Sequence, residues 1–163
     1  MVAVLAAFLL TTAPAAAAVG CPTGWGSLPE QVDGMGTGEV DTIRAGRHDC
    51  FDRVVVDIDG PAAGYRAEYV DQVTADGSGN VVPTPGGARI QLIVRHPKFS
   101  GPGPGGQLAD VDGFTTLRSV VAAGSFEGQT TIGVGVRARL PFRVFVLQGG
   151  HSRIVLDVAH RWT

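Results

Sequence analysis

The sequence predicts an all-β protein, a two-layer β-sandwich of about eight short, mainly antiparallel strands. Three observations carry that prediction. From Glu39 onward, short runs alternate apolar and polar residues with period two, and Gly, Pro, Asn and Asp punctuate them. No window of helical length sustains apolar residues at i, i+3, i+4 and i+7, with Asp112 to Ala123 the one ambiguous stretch. The strand-like runs also recur at spacings that short turns bridge, the pattern of a sandwich or a barrel.

Residues 1–18 stand apart from that pattern. They carry no charge and no Gly, and an apolar run from Val2 to Leu10 gives way to Thr11, Thr12, Pro14 and a string of alanines. This order is that of a secretory signal peptide with a small-residue cleavage site. The apolar run is far shorter than the roughly 20 residues of a membrane-spanning helix. No Lys or Arg precedes it, which leaves room for an upstream start. Residues 19–38 are Gly-rich and aperiodic, an irregular lead-in that Trp25 and Leu28 are expected to pack onto the domain of residues 39–163.

Within that domain, Phe51 to Ile58 places Val54, Val56 and Ile58 on one face and Arg53, Val55 and Asp57 on the other. Asp59-Gly60-Pro61 stops it. Tyr65 to Val73 alternates again and closes at Asp76-Gly77-Ser78-Gly79. A short strand at Val81-Val82 precedes Pro83-Thr84-Pro85-Gly86-Gly87. Ala88 to His96 turns Ile90, Leu92 and Val94 inward. Pro97 to Gly106 is a Gly-Pro loop that cannot hold a ladder. Leu117 to Ala122, Thr130 to Arg137, Phe142 to Leu147 and Ile154 to His160 supply the remaining strands.

The chain has two cysteines, Cys21 and Cys50. In an exported protein a disulfide between them is the economical reading. In the competing reading, Ala18-Val19-Gly20-Cys21 is a degenerate lipoprotein box and Cys21 carries a lipid anchor. The formal net charge of −2 gives no global attraction to nucleic acid or anionic lipid. Lys98 is the only lysine, so cationic contacts fall to arginine.

One internal echo goes beyond alternation. Arg53-Val54-Val55-Val56-Asp57-Ile58 recurs as Arg153-Ile154-Val155-Leu156-Asp157-Val158. Both runs place Arg and Asp four residues apart on one face, as two pseudo-symmetric strands would. With Cys50-Phe51-Asp52, Tyr65 to Val73, Gly124 to Thr130 and Pro141 to Phe145, these strands resemble the AMIN-like domains of exported actinobacterial proteins. The resemblance implies a β-sandwich, an extracytoplasmic address, and binding to peptidoglycan or an associated polymer. It carries over no mapped ligand site.

Catalytic chemistry finds little footing. No Ser sits in a G-x-S-x-G elbow beside a base. Asp110-Val111-Asp112-Gly113 imitates the start of a calcium loop, but Val121 stands at the twelfth position, where a further acidic ligand belongs. The histidines at 48, 96, 151 and 160 are scattered at strand ends without zinc spacing. Glu68, Asp71 and Glu127 are candidate glycosidase carboxylates that nothing local selects. No cofactor motif is present, and the arginines alternate with carboxylates instead of forming the basic stripe that nucleic acid requires.

What remains is a binding surface. Arg53, Arg153, Arg137, Arg139 and Arg143 suit carboxylate-bearing glycans or peptides. Phe126 and Glu127 occupy the least generic turn. Arg53 with Asp57 and Arg153 with Asp157 could equally tie neighbouring strands together. The expected protein is therefore an exported, envelope-associated binder that is not an enzyme. Its partner is a cell-wall glycan or peptide, or another envelope protein; a small-ligand or lipid carrier is the third reading and requires an apolar cavity between the sheets.

Overall fold

The computed structural model describes residues 20–21, 24–97 and 99–162. The signal peptide expected over residues 1–18 lies outside the described residues. Eleven strands are present among those described: β1 (Glu30–Val32), β2 (Val40–Arg47), β3 (Phe51–Asp59), β4 (Tyr65–Val70), β5 (Val73–Thr74), β6 (Val81–Val82), β7 (Ala88–Val94), β8 (Leu117–Phe126), β9 (Gln129–Val136), β10 (Phe142–Leu147) and β11 (His151–Ala159).

They form an all-β sandwich. One sheet runs β1-β4-β7-β9-β8, the facing sheet runs β10-β11-β3-β2, and β5 pairs with β6 as a separate ribbon. Every ladder is antiparallel. Period-two alternation sends Val54, Val56 and Ile58 of β3 and Ile154, Leu156 and Val158 of β11 inward. There they meet Ile90, Leu92 and Val94 of β7, and Ile132 and Val134 of β9, in one continuous aliphatic core. Each such side chain contributes about 1.5–3 kcal/mol by leaving water. The space between the sheets is thus filled.

The two sheets differ in what covers their outward faces. On the five-stranded sheet, Val121 and Ala123 of β8 pack against Val73, Ala75 and Val82 of the ribbon. Gly133 and Gly135 of β9 make the approach close enough. A Cβ on Gly133 would stand 2.7 Å from Thr84 Oγ1, and one on Gly135 would stand 1.9 Å from the Pro85 carbonyl oxygen. Both faces of β9 are consequently buried. Among the described residues no such ribbon lies over the β10-β11-β3-β2 sheet, whose outward face is left to side chains.

Several expectations change on contact with the structure. The lead-in is not irregular throughout: β1 forms within it and pairs with β4. It also closes the β10 edge, where Phe142 N–H donates to Gly26 O and Val144 N–H donates to Glu30 Oε2, both at 2.8 Å. Trp25 is half-buried, but Leu28 is 76% exposed and does not anchor the segment. The Gly-Pro loop does pair at its far end, because its bonding groups follow the prolines. Gly105 N–H donates to Ala122 O, and Ala122 N–H donates to Gly106 O, which covers the β8 edge.

His96, just past the end of β7, is turned into the interior. It is fully buried, with Nδ1 on Gly38 O at 2.9 Å and Nε2 accepting from Ala63 N–H at 2.8 Å. Because a backbone N–H can only donate, Nε2 carries no proton and Nδ1–H donates to Gly38 O. The pseudo-calcium turn is closed by its own side chain, with Asp112 N–H donating to Asp110 Oδ1. Cys21 and Cys50 form a disulfide with Cα atoms 5.4 Å apart, so of the two readings of Cys21 the structure contains the bridge.

Candidate functional site

The site grows out of the self-complementary strand. A run of Arg-x-Val-x-Asp, laid antiparallel on a copy of itself, puts Arg opposite Asp at both ends. β3 and β11 do this: Arg53 faces Asp157, Val55 faces Val155, and Asp57 faces Arg153. A local two-fold axis therefore passes between Val55 and Val155 on the outward face.

The two ends of that axis are not equivalent. At one end Asp157 is fully buried and receives two guanidiniums. Arg53 bonds it through Nε at 2.6 Å and Nη2 at 2.9 Å, and Arg143 of β10 bonds it through Nε at 3.0 Å and Nη2 at 2.9 Å. At the other end Asp57 is held by Arg44 of β2, through Nε at 2.8 Å and Nη2 at 3.2 Å, and by Thr42 Oγ1 at 3.0 Å. Burial opposes the charged form of Asp57, but the hydrogen bonds from Arg44 and Thr42, with the fields of Arg44 and Arg153, outweigh it. They hold this carboxyl below its ordinary range. Ties between neighbouring strands thus exist, but they run across the register and not within Arg53–Asp57 or Arg153–Asp157.

Aromatic rings flank the arginines. Arg143 lies 4.4 Å from the Trp25 ring centroid and 5.0 Å from that of Phe145; Arg53 lies 5.1 Å from Phe51. Trp25 meets Phe51 edge to face at 5.7 Å, and His48 stacks on Phe51 at 4.4 Å. Arginine stems and rings shield the central valines, so Val55 and Val155 are buried although they point outward. Between Arg44, Arg53, Arg153 and Leu147 lies a depression of about 220 Å³ floored by Val55 and Val155.

Of the sequence-predicted binding residues, Arg53, Arg143 and Arg153 share this face. The others do not. Arg137 donates to the His160 carbonyl oxygen, and Arg139 reaches Ser27 and lies 4.9 Å from the Tyr69 ring centroid. Phe126 and Glu127 form the β8–β9 turn on the other sheet, with Glu127 at φ 47° and Gly128 at φ 81°, a type I′ hairpin. Phe126 is exposed. Among the carboxylates weighed for glycosidic chemistry, Glu68 pairs with Arg66 on its own strand.

Arg44, Thr42 and His48 belong to the site although their sequence gave no sign of it. A bulge between Val40 and Ile43 breaks the alternation of β2 and hides which of its residues point outward.

A family model of the AMIN-like domain matches residues 38–160. The chain belongs to the AMIN-like domain family. No curated protein and no solved structure matches it. In this AMIN-like domain the matched span contains both echoed strands, the bulged β2 and Arg143. Trp25 and Cys21 of the lead-in fall outside it.

The other polar clusters of the AMIN-like domain are built into its frame. Fully buried Asp52 accepts from Thr116 N–H at 2.6 Å and Leu117 N–H at 3.0 Å, and His160 Nε2 lies 3.1 Å from its other oxygen. These contacts tie the start of β8 to β3. The Thr116 hydroxyl donates to Ala159 O at 3.2 Å and is committed there.

Proposed function

We propose that this AMIN-like domain is a non-catalytic cell-envelope binding module that holds peptidoglycan or an associated wall polymer on the outward face of the β10-β11-β3-β2 sheet. Membership of the AMIN-like family supports the envelope address, and the Cys21–Cys50 disulfide fits an extracytoplasmic, oxidising location. The observation that carries the reading is the array of guanidiniums and rings on the outward sheet face that, among the described residues, no ribbon covers. Four guanidiniums, of Arg44, Arg53, Arg143 and Arg153, stand against the three carboxylates of Asp57, Asp59 and Asp157. The face is therefore net cationic on a chain whose formal charge is −2. Guanidiniums and aromatic platforms suit a polar, anionic polymer.

A filled core argues against the carrier reading, because the aliphatic side chains of both sheets occupy the space a lipid would need. Docking on another envelope protein is the second reading. It draws on Leu28, Val32 and Met35, three exposed apolar side chains in one stretch of the lead-in.

Co-sedimentation of the mature protein with purified insoluble peptidoglycan tests the proposal. Binding that weakens with added salt is expected. Protein left wholly in the supernatant, together with a stoichiometric protein partner recovered from the envelope, would replace it with the second reading.

A further inference from the structure

The pseudo-two-fold axis leaves one cation over. Asp157 bonds both guanidiniums that reach it, whereas both Asp57 oxygens are taken by Arg44 and Thr42. Arg153 acts on Asp57 through space only. Among the described residues its guanidinium makes no hydrogen bond, and its exposed side chain lines the depression whose floor is apolar and whose other walls include Arg44 and Arg53. Arg44 and Arg53 each commit Nε and Nη2 to a carboxylate, so the guanidinium whose donors are all uncommitted is that of Arg153.

The size of the depression narrows what it could accept. At about 220 Å³ it is smaller than the ~300–1,000 Å³ of pockets that enclose a whole small molecule. It suits one group projecting from a larger ligand. A planar guanidinium pairs bidentately with an oxyanion bearing two free oxygens, and the apolar floor excludes water from beneath.

We propose that the depression between Arg44, Arg53 and Arg153 is an anion subsite for one carboxylate or phosphodiester group of an extended envelope polymer, with Arg153 as its primary contact. This rests on the reading of the open face as the polymer-binding surface and names the group that the face recognises. Arg44 and Arg53 act as positioning residues, holding the walls through Asp57 and Asp157 and adding positive potential.

The test follows the ¹⁵N–¹H resonances of the arginine Nε–H groups while N-acetylalanine or dimethyl phosphate is titrated at fixed ionic strength, with chloride as control. The Arg153 resonance should shift saturably, and the stronger of the two probes identifies the source as a peptide carboxylate or a polymer phosphate. In Arg153→Gln the Nε–H resonances of Arg44 and Arg53, which line the same depression, should lose the saturable shift they show in the parent. The melting temperature should stay nearly unchanged, since the Arg153 guanidinium makes no hydrogen bond and acts on Asp57 through space only. The same variant should weaken co-sedimentation with wall polymer at least about tenfold.

Shifts no larger than those from chloride, or an Arg153→Gln protein that responds as the parent does, overturn the subsite. The two readings fail separately. Co-sedimentation that Arg153→Gln does not alter overturns the subsite and leaves the binding face standing. A saturable Arg153 shift in a protein that ignores every wall polymer overturns the function and keeps the subsite.

Discussion

At the residue scale, Asp57 and Asp157 show how the same residue in the same motif carries different weight. Asp157 is fully buried beneath two guanidiniums, so Asp157→Ala strands two partly buried cations and should cost about 3–5 kcal/mol, read by urea unfolding. Asp57 faces the exposed side chain of Arg44, and its removal should cost under about 1 kcal/mol. Its pH dependence has a definite sign. A carboxyl depressed in the folded state stabilises above its unfolded value of about 3.9 and loses that contribution as pH falls through the depressed value. The deficit of Asp57→Asn should therefore be present at neutral pH and shrink below about pH 4. Glu30 runs the other way. Burial raises its pKa, against the Val144 N–H and the Arg143 charge that favour the anion. The stability linked to that raised value is present at low pH and lost as pH rises through it. Glu30→Gln, which keeps an acceptor for Val144 N–H, should gain stability relative to the parent at neutral pH and lose that advantage in acid. His96 offers a third contrast: His96→Ala leaves Gly38 O and Ala63 N–H unpaired in the interior and should cost about 2–4 kcal/mol.

At the element scale, what the sequence disclosed depended on whether an element's partner was local in pattern. The strands β3, β7 and β11 alternate cleanly, so their inward faces were readable. The echo of Arg53–Ile58 in Arg153–Val158 even encodes its own register, since the motif complements itself only when antiparallel. By contrast β1 is three residues long, too short to show a period, and owes its existence to β4. The ribbon's position over β9 left a fainter trace. Gly133 and Gly135, two apart in a strand, mark a close backbone approach, a signal that alternation of apolar residues cannot carry. Gly135→Ala should push the ribbon off the sheet and lower the unfolding midpoint sharply, because its Cβ would overlap the Pro85 carbonyl. The disulfide belongs to this scale as well. It links the lead-in to the residue before β3 and should contribute about 2–4 kcal/mol, measured by unfolding with and without reductant.

At the scale of the whole molecule, the asymmetry between the two outer faces organises everything else. One sheet spends its outward surface on the ribbon, and the other keeps its outward surface for side chains. The candidate site was only half legible in the sequence for a related reason. Arg53, Arg143 and Arg153 could be named from the strands that carry them, whereas Arg137, Arg139, Phe126 and Glu127 were indistinguishable from them until the topology sent them elsewhere. No sequence period says which face of a sandwich will be covered.

The position of β11 has a kinetic meaning. It lies between β3 and β10, so the binding face is two unconnected fragments until residues 151–159 insert. The Arg53–Asp157 contact closes a loop of 104 residues, a non-local pairing of the sort that slows folding. The proposed binding surface thus does not exist until β11 is in place. A chain growing from its N-terminus cannot display it early, and a chain that loses its last strand cannot display it at all.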